Sequence, residues 1–191
     1  NLSLYGINSY LFQNLSVANY TVRVLPDAVV YPDYLPTYLG NTLAMFEATW
    51  VQTSGNITGK DISLIKRPPA NTGSYLISGN LIQTFDGKGL SVIFNKGEKN
   101  GDPVPGALVY LKGSADGSLK AYDITDADGS FEFGNLPSGT YLFGADFKGK
   151  PMDAGNIPLT VDASRNTIEI LATVGTDNIK FTDLSTGSED L

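Results

Sequence analysis

Neither cysteine nor histidine occurs in the 191 residues of this chain. Without thiol or imidazole there is no cysteine nucleophile, no Cys/His zinc site and no triad that uses imidazole as its base. No disulfide can staple the chain, so a hydrophobic core must hold it, and its compartment cannot be read from redox usage. Positive charge is also sparse. Thirteen Lys and Arg stand against 20 Asp and Glu, giving a formal charge of -7, with no local basic cluster. Such a surface repels a phosphate backbone, and nucleic acid is not expected as a partner. No apolar run approaches the roughly 18 residues of a membrane-spanning helix, and no charged-then-apolar leader opens the chain. Membrane insertion is not expected, and any export signal is expected outside these residues.

What the chain does contain is enough apolar surface to pack, with 41% hydrophobic and 10% aromatic residues, and abundant punctuation, with 21 Gly and 10 Pro. Short alternating runs predict strands at 61–66, 74–82, 90–94, 107–112, 119–124 and 166–174, separated by Gly, Pro, Asn and Asp at the spacing of a sandwich. Helical periodicity is weak throughout. The segment "NTLAMFEATWV" (41–51) comes closest and suits a turn or two.

The chain also repeats itself. "FQNLSVANY" (12–20) returns as "FGNLPSGTY" (133–141) at an offset of 121, so that Tyr10, Phe12, Asn14, Leu15 and Tyr20 answer to Phe131, Phe133, Asn135, Leu136 and Tyr141. Each copy reads as two strands around a tight connection. The second has Pro137 to fix φ and Gly139 to allow φ > 0, whereas the first has Val17 and Ala18. "KRPPANTGS" (66–74) reads as the linker between two halves. Ile77 stands 54 positions ahead of Phe131, but only nine residues precede Tyr10. The expectation is therefore an incomplete module at 1–69, a complete one at 70–176, and a tail or donated strand at 177–191. The missing strands of the first module would reflect either a cut within a longer protein or a strand supplied by a neighbouring subunit.

The second half, with "PVPGALVYLKG" (103–113) followed by "TDADGSFEFGNLPSGTY" (125–141), resembles the carboxypeptidase regulatory-like and Cna B-type families over roughly 77–174. The resemblance implies an all-β fold of two tandem transthyretin-like (Ig-like) β-sandwich modules, the first lacking N-terminal strands. "YPDYLPTYLGNT" (31–42) is similar to inserts in large secreted proteins of Bacteroidetes-type bacteria, which implies a secreted or cell-surface location. Some Cna B-type modules carry a Lys to Asn isopeptide beside a Glu. Here Gly144, Ala145 and Asp146 occupy the strand where that Glu is expected, so no cross-link is expected.

Three constellations could carry chemistry. Asp123, Asp126 and Asp128 are hard oxygen ligands that could hold Ca²⁺, although the spacing fails as an EF-hand because Ile124 and Asn135 fall at its anchoring positions. The alternative is a solvated turn built on Asp128 and Gly129. No other cofactor is expected. Tyr31, Tyr34, Tyr38 and Trp50, with Phe46 and the stiffening Pro32 and Pro36, could present rings to a sugar, or could fold back to cover an unfinished sandwich. Asp33 and Glu47 could in principle act as acid and base on a glycoside, but scattered carboxylates on an acidic surface are the ordinary case. The sequons at Asn1, Asn14, Asn19 and Asn56 would be glycan acceptors in a eukaryotic secreted protein, whereas in the bacterial setting they are expected to be chance, with Asn14 serving turn geometry in the repeat.

The function expected is that of a non-enzymatic structural, spacer or adhesive module of a secreted or cell-surface protein. Its expected partners are other modules of the same protein or neighbouring subunits, with polysaccharide as a further candidate. One alternative is a filament subunit that accepts "DNIKFTDL" (177–184) from another copy. The other is a carbohydrate-binding module.

Overall fold

Alternating runs bounded by turn formers do become strands in the computed structural model, which describes residues 2–4, 9–83, 101–152 and 157–185. Among them lie fifteen strands and one 3-10 turn, Met45–Glu47. The expected strand at 90–94 lies outside the described residues. The segment 61–66 forms no strand, and among the described residues only its Lys66 takes part in a β-bridge, with Tyr34. The chain divides into two units, Asn1–Leu43 with Glu47–Lys66, and Ala44–Phe46 with Arg67–Leu191.

In chain order the first unit contains β1 (Leu2–Leu4), β2 (Tyr10–Phe12), β3 (Asn19–Tyr20), β4 (Arg23–Val24), β5 (Thr37–Tyr38) and β6 (Val51–Gln52). These make three two-stranded ribbons, β1 with β2, β3 with β6 and β4 with β5. The expected partial sandwich therefore takes a more fragmentary form, because two- and three-residue strands cannot build a continuous sheet face. Order comes instead from the Tyr34–Leu43 stretch, where Leu35, Thr37, Tyr38, Leu39 and Leu43 are buried. The Thr37 hydroxyl donates to the Leu35 carbonyl (2.8 Å) and accepts the Ile65 amide (3.0 Å), tying 61–66 to this small core.

The second unit is a sandwich. It is built from β7 (Tyr75–Gln83), β8 (Asp102–Pro103), β9 (Leu108–Gly113), β10 (Leu119–Ile124), β11 (Ser130–Leu136), β12 (Gly139–Asp146), β13 (Ile157–Val161), β14 (Thr167–Val174) and β15 (Ile179–Asp183). One sheet has the order β10-β9-β12-β13. The other runs β11-β7-β14-β15, with β8 pairing β7. Period-two alternation sends Ile77 and Leu81 of β7, Phe131 and Phe133 of β11, Phe143 and Ala145 of β12, and Ile168, Ile170 and Ala172 of β14 into one core. Phe131 and Phe143 stack across the two sheets with centroids 5.5 Å apart. Each Ile, Leu and Phe among these contributes about 1.5–3 kcal/mol by its burial.

Three expectations are corrected by this topology. The repeated nonapeptide is not a hairpin. β11 belongs to one sheet and β12 to the other, so the connection between them crosses from sheet to sheet. Nor does Gly139 supply the left-handed residue, which is Asn135 (φ 54°), and its counterpart Asn14 adopts the same conformation (φ 57°). Asn tolerates that region better than other residues with a Cβ. The Tyr141 hydroxyl then donates back to the Pro137 carbonyl (2.8 Å), closing the corner. In the first copy the matching carbonyl, that of Ser16, accepts instead from the Thr53 hydroxyl (2.7 Å).

Finally, 177–184 is not a loose tail in this structure. Ile179–Asp183 pairs antiparallel with β14, Ile179 is fully buried, and Phe181 sits edge-on to Phe143 at 5.3 Å. These apolar contacts are made within the chain itself. The expected linker is also engaged with the second unit. The Asn71 side-chain amide donates to the Lys120 carbonyl (3.1 Å), and the Gly73 amide donates to Asn135 (2.6 Å).

Two predictions follow from this packing. A Cβ on Gly144 would lie 2.3 Å from the buried Tyr110 ring, so Gly144→Ala should cost about 2 kcal/mol in denaturant unfolding. The cost should shrink in a Tyr110→Leu background, where the ring is gone. Tyr141→Phe should cost about 1 kcal/mol through the lost corner bond. Burial raises the Tyr141 phenol above its ordinary value, with the Lys120 charge opposing. Its contribution is thus present below pH 10 or so and lost as pH rises through the raised value. The thermal midpoint of Tyr141→Phe should consequently fall less steeply than that of the parent in this alkaline range.

Candidate functional site

The outer face of the five-stranded sheet is where polar side chains gather. Because Ile77, Gly79 and Leu81 point inward, strand alternation turns Ser78 and Asn80 outward. The pairing register then sets their neighbours. Ser78 is paired with Glu132 of β11 on one side and Glu169 of β14 on the other, and Asn80 is paired with Ser130 and Leu171. Two strand spacings separate the carboxylate-bearing strands, about 10 Å, with the small Ser78 as the floor between them.

A groove of 320 Å³ follows this row, lined by Ser78, Asn80, Glu132 and Glu169 and, from the β10 end, by Asp123 and Asp126. Asn80 is only 9% exposed, and among the described residues its amide nitrogen has no hydrogen-bond partner. A buried donor without an acceptor is uncommon in a folded protein. Strand alternation read from the sequence gives the outward direction of Asn80. Its burial could not be read there, because it depends on neighbours brought in by β11 and β14.

The sequence-predicted aspartates lie around the turn that feeds this groove. Asp123 accepts the Ile124 amide (2.8 Å) and the Glu132 amide (2.9 Å), so its carboxylate fastens β10 to β11. Asp128 accepts both the amide (3.1 Å) and the hydroxyl (2.7 Å) of Ser130. Asp126 and Gly129 close the turn through the Gly129 amide and the Asp126 carbonyl (2.9 Å). Among the described residues no three acidic groups come together in a way that could hold a metal ion.

The predicted aromatic residues of the first unit are not brought to one common exposure. Tyr38 is buried, with the Arg23 guanidinium 5.2 Å from its ring centre. Tyr34 is partly covered and has the Lys66 ammonium 5.9 Å away. Tyr31 and Trp50 remain half exposed. Phe46 packs against the sandwich core of the second unit, to which it belongs. Glu47 accepts the Thr42 hydroxyl (2.6 Å). The first unit also has a hollow of 980 Å³ lined by both flanks of its repeat copy, including Phe12, Leu15, Tyr20 and Ile57.

Residues 96–171 match the carboxypeptidase regulatory-like domain family. The segments 103–113 and 125–141, which carried the resemblance in the sequence, lie inside that span. Among solved structures, a variant of BcpA, the major pilin subunit of Bacillus cereus, is 16% identical, with a TM-score of 0.36 over 68% of this chain and 36% of that one. Unaltered BcpA gives 0.35 with the same identity and coverage. The group B streptococcus pilus 2b backbone protein is also 16% identical, with a TM-score of 0.35 over 73% of this chain and 50% of its own. The aligned regions thus span between about a third and a half of those proteins. No curated protein matches.

Because Asp123 joins two strands rather than hanging free, Asp123→Ala should lower unfolding stability by about 1 kcal/mol. Calcium should leave the thermal midpoint of the parent unchanged. A midpoint that rises with calcium would show an ion bound by the native state.

Proposed function

We propose, starting from the carboxypeptidase regulatory-like match, that this chain is a non-enzymatic structural or adhesive module of a secreted or cell-surface protein. The observation that carries the reading is the centre of the five-stranded sheet. There β7 and β14 run parallel in register over eight residue pairs, from Leu76 with Thr167 to Gln83 with Val174. One strand opens the sandwich and the other almost ends it, so tension along the chain converges on this pairing.

The geometry gives a sequence of events under load. β15 leaves β14 at the Ile170 end, with Asp183 paired to Ile170 and the Leu184 amide bonded to the Glu169 carbonyl (2.8 Å). Tension there peels β15 one pair at a time, against the ion pair of Arg165 with Asp183. With β15 released, the pull acts on opposite ends of β7 and β14 and shears all their backbone bonds together. A ladder loaded in shear resists more than one opened from its end, because its bonds share the force. The first unit, with its short ribbons, has no comparable ladder among the described residues.

Single-molecule pulling through the two chain ends checks this directly. The expected trace has a weak early step as β15 detaches and a stronger peak as β7 and β14 part. Replacing Leu76 and Ser78 by Pro should abolish the strong peak, because their amides face β14, that of Leu76 donating to the Asn166 carbonyl (3.1 Å). A sandwich that yields in one weak step would remove the load-bearing basis of the proposal.

A further inference from the structure

We propose that the groove over Ser78 binds an extended basic peptide. A Lys or Arg side chain would sit between Glu132 and Glu169, and a main-chain carbonyl of the peptide would accept the Asn80 amide N–H. The inference deepens the adhesive half of the reading above and rests on it, giving that surface a partner chemistry.

Three features select this ligand. The first is charge. Asp123, Asp126, Glu132 and Glu169 line the groove, and among the described residues no Lys or Arg lines it and no hydrogen bond reaches the carboxylates of Asp126, Glu132 and Glu169. An acidic concavity with low-dielectric walls concentrates cations from solution. The second is spacing. Glu132 and Glu169 stand on strands about 10 Å apart with the small Ser78 between them, which leaves room for the long side chain of a Lys or Arg, and no three acidic groups among the described residues converge on a metal position.

The third feature is Asn80, which separates a peptide from a simple amine. Its buried nitrogen is a donor lacking an acceptor among the described residues, and it stands one row along the sheet from the Glu132, Ser78 and Glu169 row. A polyamine has no acceptor to offer it, whereas a peptide carries a carbonyl at every residue. A sugar would offer acceptors, but among the described residues the ring lining the groove belongs to Phe131, which is 4% exposed and packs into the core, so none of these residues offers an apolar platform to the site.

The test titrates the full chain at low salt with an acetylated, amidated Gly-Arg-Gly-Arg-Gly peptide, its Glu-containing counterpart and spermidine, following heat and backbone amide shifts. The Arg peptide should bind, move the signals of Ser78, Asn80, Glu132 and Glu169, and weaken with added salt, while the Glu peptide should not bind. Glu132→Gln with Glu169→Gln should weaken the Arg peptide roughly tenfold. Asn80→Ala should weaken the peptide roughly fivefold and leave spermidine unchanged, since only the peptide uses the amide. Its thermal midpoint should stay level or rise, because an unpaired buried donor has been removed, which separates a binding role from a structural one. Failure of the Arg peptide to bind, equal binding by the double variant, or equal weakening of peptide and spermidine by Asn80→Ala would each overturn the proposal. None of these results alters the pulling trace, so the load-bearing reading stands or falls separately.

Discussion

The register of β7 is the constraint on which the rest of the second unit depends. This strand has β11 on one side and β14 on the other, antiparallel to the first and parallel to the second. A slip by one residue would exchange its two faces, pushing Ser78 and Asn80 into the core and Ile77 and Leu81 into solvent. That exchange would cost several buried aliphatic side chains and add buried polar groups without partners. The core thereby fixes the polar face as well. Glu132, Ser78 and Glu169 fall in one row because Ile77, Phe131 and Ile168 must all point the other way.

The same nine-residue pattern meets two different fates in the two units. Phe133 is 2% and Leu136 0% exposed, but their counterparts Phe12 and Leu15 are 38% and 41% exposed. The local backbone agrees nonetheless, down to the left-handed Asn in each copy. Pairing agrees as well. Phe12 is paired with Leu2 as Phe133 is paired with Ile77, so β1 stands beside β2 in the register that β7 holds beside β11. What differs is the surrounding protein. The second copy is enclosed by nine strands in two sheets, and the first by short ribbons around a small core at Leu35, Leu39 and Leu43. Corner geometry is a local property of the sequence, whereas burial belongs to whatever the corner packs against.

Acidic residues play two roles that composition alone cannot separate. Asp123 and Asp128 take up backbone amides at a turn and so serve the fold. Among the described residues Glu132 and Glu169 take up no such amide with their carboxylates and place like charges around one groove, an arrangement that costs some repulsion. Asn80 adds an unpaired donor beside them. Local conflicts of this kind in an otherwise consistent core mark a surface shaped for something other than folding.

Strand positions were legible because alternation and turn residues are local signals. The segments 74–82, 107–112, 119–124 and 166–174 each became a strand with bounds shifted by no more than a residue. Ile157–Val161 was missed, since Pro158 interrupts a five-residue run and masks its strand character. Partnership was not legible. The repeat looked like a hairpin because proximity in sequence suggests pairing, but each flanking strand buries its apolar face better against a different sheet. For the same reason 177–184 read as a strand available to another chain, although Ile179 and Phe181 fill this sandwich's own core. The aspartates stood out as a group by spacing, whereas Glu132 and Glu169, 37 positions apart, met only across Ser78. The sequence by itself therefore determined an all-β chain, its turns and the direction in which each strand side chain points, all set by backbone sterics and period two. Tertiary structure alone decided which strands are neighbours, which acidic groups share a groove and which amide is buried, because these follow from the one arrangement that closes a core over the whole unit.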